Sequence, residues 1–338
     1  MYNAWTPQRG ELIWSFLAAP LRRLVVSRDR VESAWPVHGS VLIHKGALWA
    51  SAGRSSYLDN GIALWKLDPQ TGDILARKQY CHYGVETGLM DEVKDGQRMI
   101  GGKNDVLSAG EGETAFMRHT HFDGQLEEID PGLHVYSAAG LLDGEWFNRT
   151  YWIYGMRMWG EFKGWPTSAS VFPSGRILSL EEDNTLYGFR RPGHSWGLED
   201  RNDYFLYRAS FSPGKLRELV PPDDGYPWSR WKRNHENPAI QKEWETREIP
   251  VWARAMVSTE NSLLVAGPLK PEKPRGVDVE QLLAGKRGAK LLVISKENGE
   301  VHKELELSAP PVWDGMAVIP NTVILSCRDN SLRCWRSR

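Results

Sequence analysis

Apolar residues in this chain fall in short runs that end at Gly, Asp, Asn or Pro. The stretch LWASAGRSSYLDNGIALWKLDPQTGDIL, residues 48–75, shows the pattern: an apolar run, a polar interruption, a second run, a turn and a third run. Runs of this length bounded by turn residues predict β-strands, and their dominance predicts an all-β protein. Helical spacing is confined to DVEQLLAGK (278–286) and, more weakly, ENPAIQKEWETRE (236–248).

The runs repeat. LWASAGRSSYLDNGIALWKL (48–67), ILSLEEDNTLYGF (177–189) and ILSCRDNSLRCW (324–335) each read as strand, polar tip and strand. Their tips, Asp59-Asn60, Asp183-Asn184 and Asp329-Asn330, suit tight hairpins because both residue types tolerate left-handed backbone. A second element brings its own turn glycine in QRGELIW (8–14), TGDIL (71–75), DGQLEEI (123–129) and NGEVHKEL (298–305).

Strand, hairpin, strand, Gly turn and strand at repeated intervals predict a β-propeller of about six four-stranded modules. These lie near 36–80, 103–130, 133–160, 166–212, 250–307 and 310–338, within one domain spanning 1–338. The last module lacks an outer strand, and residues 1–20 carry a run, GELIWSF, that would complete it. Either the chain closes its own ring in this way, or it belongs to a larger propeller of about seven or eight blades. Residues 221–248 and 268–288 are polar and Pro-rich or charged, and are expected as insertions outside the blades.

Composition changes this picture little. Net charge is -1, so no overall field attracts nucleic acid or an anionic membrane, and no run approaches a membrane span. The start of the chain lacks a basic segment followed by an apolar core, so no signal peptide is expected there. Three cysteines, Cys81, Cys327 and Cys334, suggest neither a disulfide framework nor a metal knot. Sixteen Trp are many for this length; inter-sheet packing is their ordinary use and ring stacking the other.

LDPQTGDIL and RGELIWSF resemble the repeat of the pyrroloquinoline-quinone-type, or quinoprotein-type, β-propellers. Residues 32–62, 148–155, 254–268 and 310–318 resemble the C-terminal half of large planctomycete-type propeller proteins, a group with no established activity. The resemblance implies a bacterial origin, and a cell-envelope or periplasmic setting if the chain is part of a longer precursor. It also raises a quinone-dependent alcohol or sugar oxidoreductase using PQQ with calcium. The vicinal cysteines and haem motif of those enzymes are missing here, so the leading expectation is a scaffold without a cofactor. A polysaccharide hydrolase or lyase is a third class.

The candidate ligand site follows from the interrupted hairpin. Arg54 carries a planar donor fork suited to a carboxylate, sulfate or phosphate, Ser55 adds a hydroxyl, and Asp59 either positions Arg54 or merely stiffens the tip. Trp35 and His38 precede the next strand. From blade position and resemblance, Arg149, Arg254 and Asp314 are expected to join them. The ligand expected is an anionic glycan or a protein held on one rim, and no catalytic residue is assigned. His119 and His121 share one strand face, a spacing that suits a metal only with a third ligand. SRWKRNH (229–235) interleaves basic residues with Trp231, but nearby carboxylates make it a solvated insertion.

Overall fold

The computed structural model describes residues 2–6, 10–27, 29–37, 41–82, 104, 106–118, 120–129, 132–137, 152–155, 172–190, 204–218, 239–270, 281 and 285–336. The backbone divides into two compact units, Met1–Leu141 with Gly155–Trp165, and Leu142–Tyr154 with Pro166–Arg338.

The first unit opens with two hairpins, β1 (Tyr2–Trp5) with β2 (Leu12–Phe16), and β3 (Leu24–Ser27) with β4 (Arg30–Ser33). A four-stranded antiparallel sheet follows in chain order: β5 (Leu42–His44), β6 (Ala47–Ala52), β7 (Ile62–Leu67) and β8 (Ile74–Tyr80). β6 is buried throughout, so it reads as a continuous apolar run, whereas β8 is largely exposed and reads as polar. A second four-stranded sheet holds β9 (Leu107–Ala109), β10 (Ala115–Met117), β11 (Thr120–Phe122) and β12 (Glu128–Ile129). The two sheets share one core, in which Trp49, Ile62, Leu64 and Tyr80 meet Leu107, Met117, Phe122 and Leu126. Each such side chain contributes roughly 1.5–3 kcal/mol when fully buried. β13 (His134–Ser137) lies beside β9, with Ser108 Oγ donating to Val135 O at 3.3 Å.

β14 (Trp152–Gly155), all but Gly155 of it in the second unit, pairs with β15 (Ser174–Gly175). Next come β16 (Ile177–Leu180), β17 (Thr185–Arg190), β18 (Phe205–Phe211) and β19 (Ile240–Thr246) as one four-stranded antiparallel sheet. A one-turn helix, α1 (Pro213–Glu218), follows β18. β20 (Ala255–Ser258), β21 (Ser262–Pro268), β22 (Ala289–Ser295) and β23 (Val301–Leu307) form the next sheet. β24 (Pro311–Ile319), β25 (Thr322–Cys327) and β26 (Leu332–Arg336) form a three-stranded one. Phe189, Leu206 and Tyr187 pack against Val265, Leu292 and Ile294 between the first two sheets. Ala266, Leu291 and Leu307 pack against Met316 and Leu325 between the last two. The fold is thus all-β, made of consecutive up-and-down sheets stacked by their faces, the module of a β-propeller.

The Asp-Asn tips adopt the expected geometry. Asp59 and Asn60 have φ of 52° and 66°, and Asn184 and Asn330 each 63°. In DGQLEEI the left-handed residue is Leu126 (φ 65°), not Gly124. Asp123 Oδ1 accepts from the amides of Gln125 and Glu127, and that clasp sets the turn.

Two expectations change. Residues 240–246, read as part of an insertion and as a weak helix, are strand β19, paired along β18 from Phe211↔Ile240 to Leu206↔Thr246. An outermost strand needs no apolar alternation, and IQKEWET shows none. The module expected at 166–212 therefore runs on to Thr246. In the 268–288 segment, Pro268 is still strand and pairs with Ala289, and Val251 bridges Leu269. Residues 221–238 and 271–280 lie outside the described residues, as does most of the 278–286 helix candidate. Cys334 faces Ile324 across the hairpin rather than Cys327, and no disulfide joins cysteines among the described residues.

Candidate functional site

The tip between β6 and β7 is a loop bonded largely to itself. Ser55 O accepts from Leu58 N at 3.2 Å, Leu58 O from Gly61 N at 2.8 Å, and Ser55 Oγ from Tyr57 N at 3.3 Å. Ser56 is fully buried, and its carbonyl accepts from His82 N at 2.9 Å. The base of the tip is fastened on two sides. Gly53 N donates to Pro36 O at 2.9 Å, and buried Asn104 donates from Nδ2 to Gly53 O at 3.1 Å. Ser51 Oγ in turn donates to Asn104 Oδ1 at 2.5 Å.

On this base Arg54 donates from Nε to Asp59 Oδ2 at 3.1 Å and from its Nη2 to the same oxygen. The other carboxylate oxygen lies 3.6 Å from the Arg23 guanidinium. The Asp59 side chain is 9% exposed, Arg54 33% and Arg23 60%. One shielded carboxylate thus serves two outward guanidinium groups, leaving one positive charge uncompensated within the trio.

Trp35 is 4% exposed and packs with Ala18, Ala34 and Ala52, flanked by Phe16, Val25 and Trp65. It is a core residue under the tip. His38 and Arg149 lie outside the described residues.

Arg254 and Asp314 belong to the second unit. Arg254 is 4% exposed; its amide donates to Ala266 O at 2.8 Å, and its carbonyl accepts from Asp314 N at 2.8 Å. Asp314 has φ 53°, and desolvation by its crowded surroundings raises its carboxyl pKa although the residue reaches the surface. The structure therefore brings Trp35, Arg54, Ser55 and Asp59 together in one unit, and joins Arg254 to Asp314 in the other.

Sequence reading missed three residues. Arg23 reaches Asp59 only through the folded hairpin, and Asn104 meets Ser51 and Gly53 from some fifty residues away, so neither left a local signal. Arg176 did leave one: it precedes β16 as Arg254 precedes β20. Its amide donates to Phe189 O at 2.8 Å as Arg254 does to Ala266, and the residue is 2% exposed, with Nε donating to Tyr204 Oη at 3.2 Å.

Of the paired histidines, His119 lies outside the described residues. His121 shares a 2.9 Å hydrogen bond with Thr114 Oγ1. Among the described residues no three His, Cys, Asp or Glu converge as a metal set. Nor do the described residues fit a calcium-bound quinone: Trp35 and Trp49 are spent in cores, and the cysteines are not adjacent.

No protein-family model matches the chain, and no curated protein does. Among solved structures, BamB from Moraxella catarrhalis is similar at 10% identity and a TM-score of 0.44, over 99% of this chain and 76% of that one. The all-β, propeller-type fold stands on the sheets themselves.

Proposed function

We propose that this chain is a binding or scaffold propeller that presents the β6–β7 tip to an acidic ligand, either the carboxylates of a glycan or an acidic segment of a protein partner. The observation that carries the reading is the sharing of Asp59 by Arg23 and Arg54. Two guanidinium groups held on one carboxylate keep a net charge and a planar donor fork at a fastened tip, which lowers the ordering cost of binding an anion.

The test is binding of labelled poly-glutamate, polygalacturonate and a neutral glucan to the full chain. Wild type should hold one of the acidic polymers in a salt-sensitive way, and Arg54→Ala and Arg23→Ala should each weaken it several-fold. Equal binding of the neutral glucan, or indifference to both substitutions, would overturn the reading.

A further inference from the structure

His134, at the start of β13, is 4% exposed. Its ring stacks on Phe116 at 3.8 Å between centroids and 4° between planes. His121 stacks on Phe116 at 3.9 Å and 10°. Two rings lying flat on a third at such distances must occupy its opposite faces, so Phe116 separates two imidazoles.

Both nitrogens of the His134 ring meet main-chain oxygens. Nδ1 lies 2.8 Å from Gly132 O, and Nε2 is in close contact with Arg118 O. A neutral imidazole carries one N–H, so it bonds one carbonyl while its lone pair faces the other; only the imidazolium donates to both. Burial opposes that charge. Desolvation outweighs the two carbonyls and, with His121 adding like charge, pushes the His134 pKa down. The groups around the ring are His121 on β11, Arg118 in the turn between β10 and β11 (φ 56°), and Tyr136 on β13, whose ring centroid is 5.2 Å away.

We propose that His134 is an acid-sensitive joint between the β10–β11 turn and β13, closed while its ring is neutral and opened when protonation places a buried cation beside a second imidazole. The sign follows from burial: a ring 4% exposed, stacked on Phe116 with His121 on the far face of that ring, is penalised for carrying charge, and its folded-state pKa is lowered accordingly. The joint contributes stability above the unfolded histidine range near pH ~6.5, and loses it as pH falls through the folded pKa.

The experiment compares the full chain with His134→Gln and His121→Gln in thermal unfolding between pH 8 and 5, alongside an NMR titration of the histidine rings. In wild type the melting midpoint should fall on acidification below pH ~6.5, and His134→Gln should flatten that fall. His121→Gln should shift the His134 titration upward. Identical slopes in wild type and His134→Gln, or a His134 that titrates at or above the ordinary value, sink the proposal. If His134→Gln does not fold, hydrogen exchange in wild type decides. Faster exchange near residues 118 and 134 at pH 5.5 than at 7.5, corrected for intrinsic rates, supports the joint, and unchanged protection overturns it.

Discussion

Trp244 on β19 packs against Gly299, so close that a Cβ on the glycine would come within 2.8 Å of the indole. Its Nε1 donates to Lys296 O at 3.0 Å in the same turn. The first unit repeats the arrangement: Trp14 on β2 lies 2.8 Å from where a Gly72 Cβ would stand, and its Nε1 donates to Pro69 O at 3.1 Å. Both glycines are left-handed, with φ of 77° and 79°. β19 and β2 thus each dock a Trp on the Gly turn of a four-stranded sheet, with the same indole-to-carbonyl hydrogen bond. This also explains part of the Trp excess as packing.

Substituting either glycine meets two obstacles at once, a left-handed backbone and an occupied space. Gly72→Ala and Gly299→Ala should each lower unfolding stability by roughly 1–3 kcal/mol, read from denaturant midpoints at unchanged slope. Gly46→Ala is the control: it too is left-handed (φ 74°), but a Cβ there meets nothing within 4 Å, so it should cost less than either. Equal losses at all three positions would show that the Trp contact contributes little.

At the β6–β7 tip, stability and binding should separate. Arg54 is one-third exposed, and a partly exposed ion pair is worth at most about 1 kcal/mol, so Arg54→Ala should unfold close to wild type. Asp59→Ala should cost more, roughly 1–3 kcal/mol. It strips a shielded carboxylate from two cations and puts alanine at φ 52°. Denaturation curves of the two variants test the order, and a larger loss for Arg54→Ala would contradict it.

How much of this was legible depends on which physics each residue obeys. The inner strands β6, β7, β21 and β22 are buried on both faces, so their apolar runs stood out. The Asp-Asn tips were legible because backbone sterics alone select those residues. β19 was not, since a strand exposed on its outer side keeps polar residues and imitates a loop. The tip residues Arg54 and Asp59 could be paired from their spacing, five residues apart across a turn. Arg23 could not, because a contact between a separate hairpin and this tip leaves no local pattern. Trp35, expected in the ligand site, shows the converse: an aromatic residue near a polar loop was needed by the core below it.

The N-terminal hairpin offers a third test. Trp14 and Phe16 of β2 pack on Leu48, Ala50, Leu67 and Trp65, so β2 covers the first four-stranded sheet besides docking on its turn. Deleting residues 1–17 uncovers that face. It should lower the melting midpoint clearly, with Trp14→Ala reproducing a large part of the loss. A deletion that leaves the midpoint unchanged would mean that the hairpin lies on the sheet without stabilising it.

Tyr187 on β17 is fully buried, and its hydroxyl finds no hydrogen-bond partner among the described residues. Lys296 Nζ sits 5.6 Å from its ring centroid, and the Arg208 guanidinium 5.9 Å. Lys296 is itself held by Glu181 at 2.5 Å, and Arg208 by Glu243 at 2.9 Å. Desolvation raises the phenol to about 12; Arg208 opposes the shift, while Glu181, Asp183 and Glu243 add to it. A raised folded-state pKa means that the neutral phenol is favoured by folding. Its stability contribution is complete below the unfolded value near 10 and drains away as pH rises from there towards about 12. Tyr187→Phe removes the ionisable group together with a buried donor that lacks an acceptor. At pH 7 it should therefore be neutral or slightly stabilising, since truncating an unsatisfied hydroxyl relieves desolvation while the ring keeps its packing. Between pH 10 and 12 the variant should outlast wild type, with one high-pH tyrosinate absorbance step missing from its titration. A clear loss of stability at pH 7 would instead mean that the hydroxyl has a bonding partner, and that the charged belt of Lys296, Glu181 and Arg208 is built around it.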